Sequence, residues 1–589
     1  MLQDGTATRL LIRHFVRRFV DNDLLSAHAD RHESLAFFTA SLVSAGIFGT
    51  VLMGTKYLFA LLAASWVAVS AMDDLFVIVS VSMIVIGLTA AAQWDALAID
   101  ARDAAILGPL PVGQGTMVRA KAAANLLFGL ALVVVVTIPA SAVFSFFPLA
   151  SLRLATSTEL RVIVSHTVAT TLAGLFSFVA VVALRESLRL LAGARGFARI
   201  SPFVQVLLVV GLTTLLLLVL GGSHTIPRAW LQESPSASLQ PFLLPAMWFV
   251  GLAQALNGDT IVLAPVGGVV LDDDLSRFYL ARRPLFAALG MAAAVGTAGT
   301  LLLASAAFWW NSRRPPSAAP QGRQHSRAAW CGLSTAVTRT LVREPATQAA
   351  FFFTLRVLLR SGPHRLTLAV GAAVALSIAL VVESGTGMEH PTSAMTAPLS
   401  VWALQPLVLI AIAAALRHAM ALPAELRANW IFHQCWGGQL QLCIAGAERA
   451  AFVVVLAPAV FVLAPMHAYV LGPGAATYHA LTGTMQSWLL LKFATMDRTA
   501  PPFLSSYVRS GNVKSAGPIF VMAAVAIAVT VAVLERSAAG TRLGVLGHTL
   551  ALLVVLLATG EIRRRRLPST GTLTTEAPEP SADPLRLHG

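Results

Sequence analysis

Long apolar stretches alternate with short polar segments along most of this chain. A stretch of about 18 or more residues with few charges is what an α-helix needs to cross a bilayer. Lipid offers no partner to an exposed backbone, so such stretches predict transmembrane helices and an all-α, polytopic helical bundle. The pattern predicts twelve spans, at 34–54, 75–94, 121–144, 163–184, 203–221, 286–309, 366–382, 398–416, 444–465, 474–491, 517–534 and 543–560.

Basic residues cluster at every second gap between these spans. Cytoplasmic segments beside membrane helices are enriched in Lys and Arg, so the clusters predict one common side and two cytoplasmic termini. The clusters begin before span one and follow spans four, six, ten and twelve: Arg9, Arg13, Arg17 and Arg18; Arg185, Arg189, Arg195 and Arg199; Arg313, Arg314, Arg323, Arg327, Arg339, Arg343, Arg356 and Arg360; Lys492, Arg498, Arg509 and Lys514; and Arg563 to Arg566.

The apolar run from Tyr57 to Ala71 is the segment on which this topology depends. A thirteenth span there would move every later basic cluster to the other side of the membrane. We therefore predict that the run extends span one or forms a helix in the membrane interface.

Composition supports a membrane protein and indicates which kinds of partner to expect. Hydrophobic residues make up 56% of the chain and charged residues 12%, whereas soluble domains are about 25% charged. The net charge of +14 lies mostly beside the spans, where it sets orientation and meets anionic lipid. We expect membrane lipid as a partner and no nucleic acid. Three cysteines, all predicted to lie at or near the cytoplasmic side, are too few for a disulfide framework.

The segment before span one is predicted to form an amphipathic helix. Its apolar positions recur every three or four residues, and its arginines take the opposite face. The apolar face includes Ile12, Phe15 and Phe19, and the basic face includes Arg17 and Arg18. This pattern is typical of a helix in the membrane interface. The alternative is a solvated helix that merely flanks a span.

A similar segment precedes span seven, where Phe352 and Leu355 stand beside Arg356. A Pro- and Arg-rich stretch between spans six and seven is typical of a linker. The chain is therefore predicted to contain two six-span halves. Its domains are a basic cytoplasmic helix (1–33), a first half (34–310), a cytoplasmic linker (311–348), a second half with its leading helix (349–560) and a disordered cytoplasmic tail (561–589).

The cytoplasmic gaps after spans two and eight carry the most specific pattern. After span two, Asp100 and Asp103 precede Leu110-Pro111, and Lys121 opens span three. This resembles the permease subunits of type 2 ABC exporters, in which an acid-headed cytoplasmic helix runs into a Leu-Pro turn before a Lys at span three. After span eight, Leu422-Pro423 comes before the short helix instead of after it. That helix carries Glu425, Arg427 and Trp430.

The resemblance implies two fused permease-like units in a bacterial inner membrane. Each short cytoplasmic helix would couple the spans to a separate ATPase, and the complex would export an amphipathic or lipid-like substrate. The sequence has no Gly-x-x-x-x-Gly-Lys-Ser/Thr loop, so ATP is expected on the partner and no cofactor on this chain. The alternative is that these helices simply cap the bundle. The oligomeric state is left open.

Other chemistry has weaker support in the sequence. His28 and His32 lack a third ligand, and Asp272 to Asp274 lack the spaced oxygens of a calcium loop, so no metal site is expected. His166 and His548 lie in spans, where we expect neutral rings bonded to a neighbouring backbone. Sparse charge within the spans disfavours a proton-driven carrier.

Although we expect no catalytic activity, two alternatives to a permease stay open. One is a membrane-embedded lipid or glycan transferase that uses Asp95, Asp100 and Asp103. The other is a membrane assembly protein that transports nothing.

Overall fold

The structure is a computed structural model. It describes residues 4–20, 64–99, 103, 107, 109, 112–152, 156–220, 240–258, 273–313, 342–386, 396–424, 439–498, 501–504 and 513–566. Helices, turns and short irregular segments make up these residues, with no strand among them, which confirms the all-α prediction for this part of the chain. The chain forms two compact units, Met1–Gln321 and Gly322–Gly589. We describe each unit by itself.

Unit 1 contains seven helices among its described residues. They are α1 (Asp4–Val20), α2 (Ala64–Ala92), α3 (Gln114–Leu152), α4 (Thr156–Leu220), α5 (Gln240–Leu243), α6 (Pro245–Asn257) and α7 (Asp273–Ser312). The central helix is α2, whose apolar side chains pack against α3, α4 and α6. The core includes Met72 and Phe76 of α2, Phe249 of α6 and Leu289 of α7.

The predicted spans four and five lie on the two arms of α4. The arms meet at a kink at Gly193, whose backbone has φ 64° and ψ 173°. Glycine adopts this conformation easily because it has no Cβ.

Residues 64–71 form the first two turns of α2. The prediction that the 57–71 run extends span one or forms a separate interfacial helix is therefore wrong for these residues, which extend span two. Residues 57–63 lie outside the described part of the chain.

Unit 2 is also built from long helices. They are α8 (Pro345–Arg360), α9 (Gly362–Thr386), α10 (Leu399–Ala421), α11 (Leu440–Ala451), α12 (Ala457–Leu471), α13 (Pro473–Ala494), α14 (Val513–Ala539) and α15 (Arg542–Arg566). A π-helical turn, Phe452–Leu456, joins α11 to α12, so span nine lies on one continuous rod. The central helix is α10, and Gly472, with φ 80°, reverses the chain between α12 and α13.

Nine helical segments among the described residues are long and apolar enough to cross a membrane. The kinked α4 counts once among them, although it carries two predicted spans, and α13 is not included. Span one lies outside the described residues, so the number twelve stays a prediction. Large apolar side chains cover the outer surface of the helices, for example Leu543, Leu546 and Leu550 on α15. The chain is thus a multi-pass helical membrane protein.

In unit 1, the segments predicted to be cytoplasmic meet at one end. These segments are α1, the gap after span two, the kink in α4 and the end of α7. The hydrogen bonds that join them run from Gln93 to Phe19, from Arg185 to Trp94 and from Asn311 to Glu186. This arrangement agrees with the alternation of the basic clusters.

Unit 2 has the same organisation. Hydrogen bonds join the predicted cytoplasmic segments at one end, from Arg417 to Ala494, from Lys492 to Glu448 and from Gln441 to Arg564. At the other end, Trp402, Leu471 and Tyr478 share an apolar cluster. Which membrane side each end faces stays a prediction.

Candidate functional site

Lys121 lies at the centre of the predicted coupling region of unit 1. Its side chain is fully buried at the start of α3, and its ammonium donates a hydrogen bond to the carbonyl of Ala96, just beyond α2. The same nitrogen lies 4.7 Å from the ring centre of Phe15 and 4.9 Å from that of Phe19. Aromatic faces attract cations, most strongly where water is excluded. Lys121 therefore ties together α1, α3 and the end of α2.

The apolar face of α1 packs against the protein. Phe15 and Phe19 are buried, and the ring of Phe19 stacks on Phe128 of α3 at 4.3 Å. Ile12 is half-buried and Arg17 is exposed. The amphipathic pattern thus identified the buried face, which contacts α3 instead of lipid. The position of α1 in the membrane interface stays a prediction.

Residues of the predicted coupling loop contribute to the same packing. Asp103 is buried, and Leu107 packs against Leu11 and Phe15. The amide of Asn125 donates a hydrogen bond of 2.7 Å to the carbonyl of Leu97. Of the other predicted coupling residues of this loop, Asp100, Leu110 and Pro111 lie outside the described part of the chain. We call this packed region, which joins α1 and the α2–α3 loop to α3, corner 1.

Glu448 has a comparable position in unit 2. It is buried on α11, at the start of span nine. Its carboxylate accepts hydrogen bonds from Lys492 at 2.7 Å and from Thr495 at 2.5 Å, and it forms an ion pair with Arg563. This carboxylate ties α11 to the ends of α13 and α15. We call this region corner 2.

The leading helix of unit 2, α8, packs closely on α11. A Cβ at Gly446 would lie 2.4 Å from the carbonyl oxygen of Thr347, so only glycine permits this contact. Phe352 and Leu355 are half-buried and Arg356 is exposed. The predicted coupling residues of the second loop, Glu425, Arg427 and Trp430, lie outside the described residues, as does the side chain of Arg18 in unit 1.

A charged network borders corner 2. The guanidinium of Arg417 donates to both carboxylate oxygens of Asp497, at 3.1 and 2.7 Å. These hydrogen bonds hold the pKa of Asp497 below its usual range. Burial lowers the pKa of the neighbouring Arg498 to about 10. Arg498 donates to the carbonyls of Arg417 and Met420, which fixes the end of α10.

Deeper in unit 2 is a polar cluster that the sequence analysis did not identify. A hydrogen bond of 2.5 Å joins His479 Nδ1 to Glu535 Oε2, and both side chains are fully buried. Gln486 donates to the other oxygen of Glu535, and Gln405 donates to the carbonyl of His479 at 2.7 Å. The signal was available, because His467 and His479 stand in apolar segments on either side of the Gly472 turn.

The two histidines predicted inside spans have hydroxyl partners. His166 lies 3.2 Å from the hydroxyl of Ser145, and His548 lies 2.5 Å from that of Tyr478. The expectation of a backbone partner is wrong for these contacts, because the Nδ1 atom of each ring contacts a hydroxyl group on an adjacent helix.

An open cleft of about 560 Å³ lies between α13 and α15, next to corner 2. Its lining combines three large apolar side chains, Trp488, Leu556 and Leu557, with three charged ones, Lys492, Glu561 and Arg564. The cleft can therefore contact an acyl or aromatic group and an anionic group at the same time.

Among the described residues, no three His, Cys, Asp or Glu side chains are arranged to hold a metal ion. His28, His32 and Asp272 lie outside those residues. Comparisons with protein-family models, curated proteins and solved structures find no match to this chain.

Proposed function

We propose that this chain is the permease component of an ATP-driven exporter that works with a separate ATPase subunit. The observation that carries the proposal is corner 1, in which buried Lys121 ties α1 and α3 to the segment just beyond α2, and Leu107 of the predicted coupling loop packs in the adjoining apolar cluster. A loop packed in this way moves with the helices it contacts, because packed interfaces shift between discrete arrangements and resist continuous deformation.

Corner 2 supports the same proposal independently. A buried carboxylate, Glu448, ties α11 to the ends of α13 and α15, and α11 follows the second predicted coupling loop in the sequence. Each unit thus has a charged side chain at the start of its third predicted span. An ATPase that pressed on the first loop would act on helices that Leu107 already contacts.

The cleft beside corner 2 supports an amphipathic substrate. Its leucine and tryptophan side chains suit an apolar tail, and Lys492 and Arg564 suit an anionic head group. The end of the unit that contains the cleft is the one predicted to face the cytoplasm, where an exporter receives its substrate.

The test is purification of the full-length chain from its native membranes in mild detergent. We expect an ATPase subunit to co-purify and the complex to hydrolyse ATP. Lys121→Met keeps a long apolar side chain but removes the charge at corner 1, and we expect it to lower ATP turnover by about fivefold or more. Arg119→Met, an exposed position on the same helix, is the matched control.

Two results together would overturn the proposal. One is folded chain that purifies with no ATP-hydrolysing partner. The other is unchanged transport in cells that carry Lys121→Met or Asp103→Asn.

A further inference from the structure

The buried polar cluster of unit 2 has no role in the proposed coupling to an ATPase. Three titratable side chains from three helices meet there: His467 of α12, His479 of α13 and Glu535 of α14. The Gly472 turn folds α12 against α13, so that the two histidine rings lie 4.5 Å apart at 82°. All three side chains are at most 1% exposed. Ionisable groups inside membrane helices are rare and usually functional.

A buried carboxylate in this setting needs a proton or a positive partner. Removing an unpaired charge from water costs so much that a buried carboxyl group takes up a proton instead. Glu535 has a single titratable partner at hydrogen-bonding distance in the described residues, His479 at 2.5 Å. The pair can hold one proton between the two side chains, and a second proton would leave it with a net positive charge.

The surroundings of the pair are incompletely hydrogen-bonded. Several buried polar atoms around it have no hydrogen-bond partner among the described residues: Nε2 of His467 and of His479, Oε1 of Gln405 and of Gln486, and Nε1 of Trp402. Native proteins leave few such atoms, and a group of them in one place points to a ligand or an ordered water.

Other titratable groups face the pair from neighbouring helices. Tyr478 of α13 shares a hydrogen bond of 2.5 Å with His548 of α15, and both residues lie within electrostatic range of Glu535. His467 faces the pair from α12, whereas α10 contributes the uncharged Gln405 and Trp402. His548 is half-buried, so the Tyr478–His548 contact lies nearer the surface of the bundle than the buried pair does.

We propose that the His467–His479–Glu535 cluster is an intramembrane proton-binding site. It takes up one proton and releases it through Tyr478 and His548 towards the membrane side on which the Gly472 turn lies. A proton fits better than a metal ion, because the described side chains form no three-ligand metal group. The inference goes beyond ATP-driven export and does not depend on it.

Infrared difference spectroscopy tests this directly. The full-length protein is reconstituted in phosphatidylcholine vesicles, and spectra are recorded between about pH 4.5 and about pH 9, which spans the ordinary range of histidine titration. We expect a histidine ring band and a buried carboxyl band to change with one midpoint. Glu535→Gln should abolish the carboxyl band, and Glu344→Gln, which changes an exposed carboxylate just before α8, should leave it unchanged.

The wild-type titration decides the proposal even if Glu535→Gln does not fold. Solid-state NMR of ring-¹⁵N-labelled histidine in the same vesicles should show at least one buried ring that changes protonation over this range. Tyr478→Phe keeps the ring and should slow that proton exchange severalfold. The proposal is wrong if no buried histidine titrates, or if a folded Glu535→Gln protein retains the carboxyl band.

Discussion

At the scale of single residues, the sequence identified several important side chains but not what they contact. The amphipathic pattern predicted the apolar face with Phe15 and Phe19, and the loop pattern selected Lys121. Their contact could not be predicted, because periodicity gives a face and not its partner. Glu535 was missed because span eleven was predicted to end at residue 534, whereas the helix continues to Ala539. Because the predicted span stopped one residue before Glu535, this buried carboxylate was not counted among the residues of the span.

Gly483 gives a test of the buried cluster at this scale. A Cβ there would lie 2.3 Å from Gln405 Nε2, which donates to the carbonyl of His479. Gly483→Ala must therefore displace Gln405. We expect it to cost about 1–3 kcal/mol of folding free energy, from overpacking and a lost hydrogen bond. Thermal unfolding in detergent is the measurement.

The matched control is Gly474→Ala on the same helix. A Cβ at Gly474 meets nothing within 4 Å, so this change should be neutral or stabilising by up to about 1 kcal/mol. Equal melting temperatures for the two variants would show that Gln405 is not held in place by α13.

At the scale of helices, hydropathy located the apolar segments but not where each helix begins and ends. The basic stretch after span four was predicted to be a gap, yet α4 continues through it to the kink at Gly193. A helix can continue beyond the membrane and carry arginines on a surface that meets water. A basic segment therefore marks the end of a membrane span but not the end of its helix. At residues 64–71 the prediction excluded an apolar segment from the helix of span two, to which it belongs. Apolar composition alone does not show whether such a run continues span one or span two.

Corner 2 gives the test at this scale. Glu448→Gln leaves Lys492 and Arg563 without their shared carboxylate, and Arg563 is almost fully buried. Removing one partner of a buried ion pair typically costs about 3–5 kcal/mol, because the remaining charge stays desolvated. We expect a clear drop in melting temperature and faster hydrogen exchange in α11 and at the end of α15.

Glu561→Gln is the control for this variant. Its carboxylate pairs with Arg564 and Arg565 on the exposed surface of α15. Exposed ion pairs contribute little because water and salt screen them, so the melting temperature should not change. A comparable drop in both variants would mean that corner 2 is not a buried joint between helices.

At the scale of the whole molecule, the alternation of basic clusters predicted which segments lie at the same end of each unit. Hydrogen bonds join those segments in unit 1 and in unit 2. A hydrogen bond joins Gln93 to the carbonyl of Phe19, so the end of α1 and the end of α2 share one end of unit 1. The 29 residues of α2 place Ala64 about 40 Å away. Ala64 therefore lies at the opposite end of unit 1, and span one, which was placed between Val20 and Ala64, stays a prediction.

The side of the membrane that each end faces can be tested by cysteine labelling in intact cells. Cys331, Cys435 and Cys443 are all predicted on the cytoplasmic side, so the wild-type chain should not react with a membrane-impermeant maleimide. Thr541→Cys, in the exposed turn between α14 and α15, should react in intact cells. Arg566→Cys, at the end of α15, should react only after the cells are permeabilised.

The two variants place a new thiol at opposite ends of the same helix, α15. Each variant therefore serves as the control for the expression and folding of the other. The positive-inside rule assigns the four arginines at the end of α15 to the cytoplasm. If Arg566→Cys reacts in intact cells and Thr541→Cys does not, the orientation is inverted. Corner 2 would then lie outside the cell, where no cytoplasmic ATPase reaches it, and the proposed coupling at corner 2 would fail without affecting the evidence for the proton-binding site.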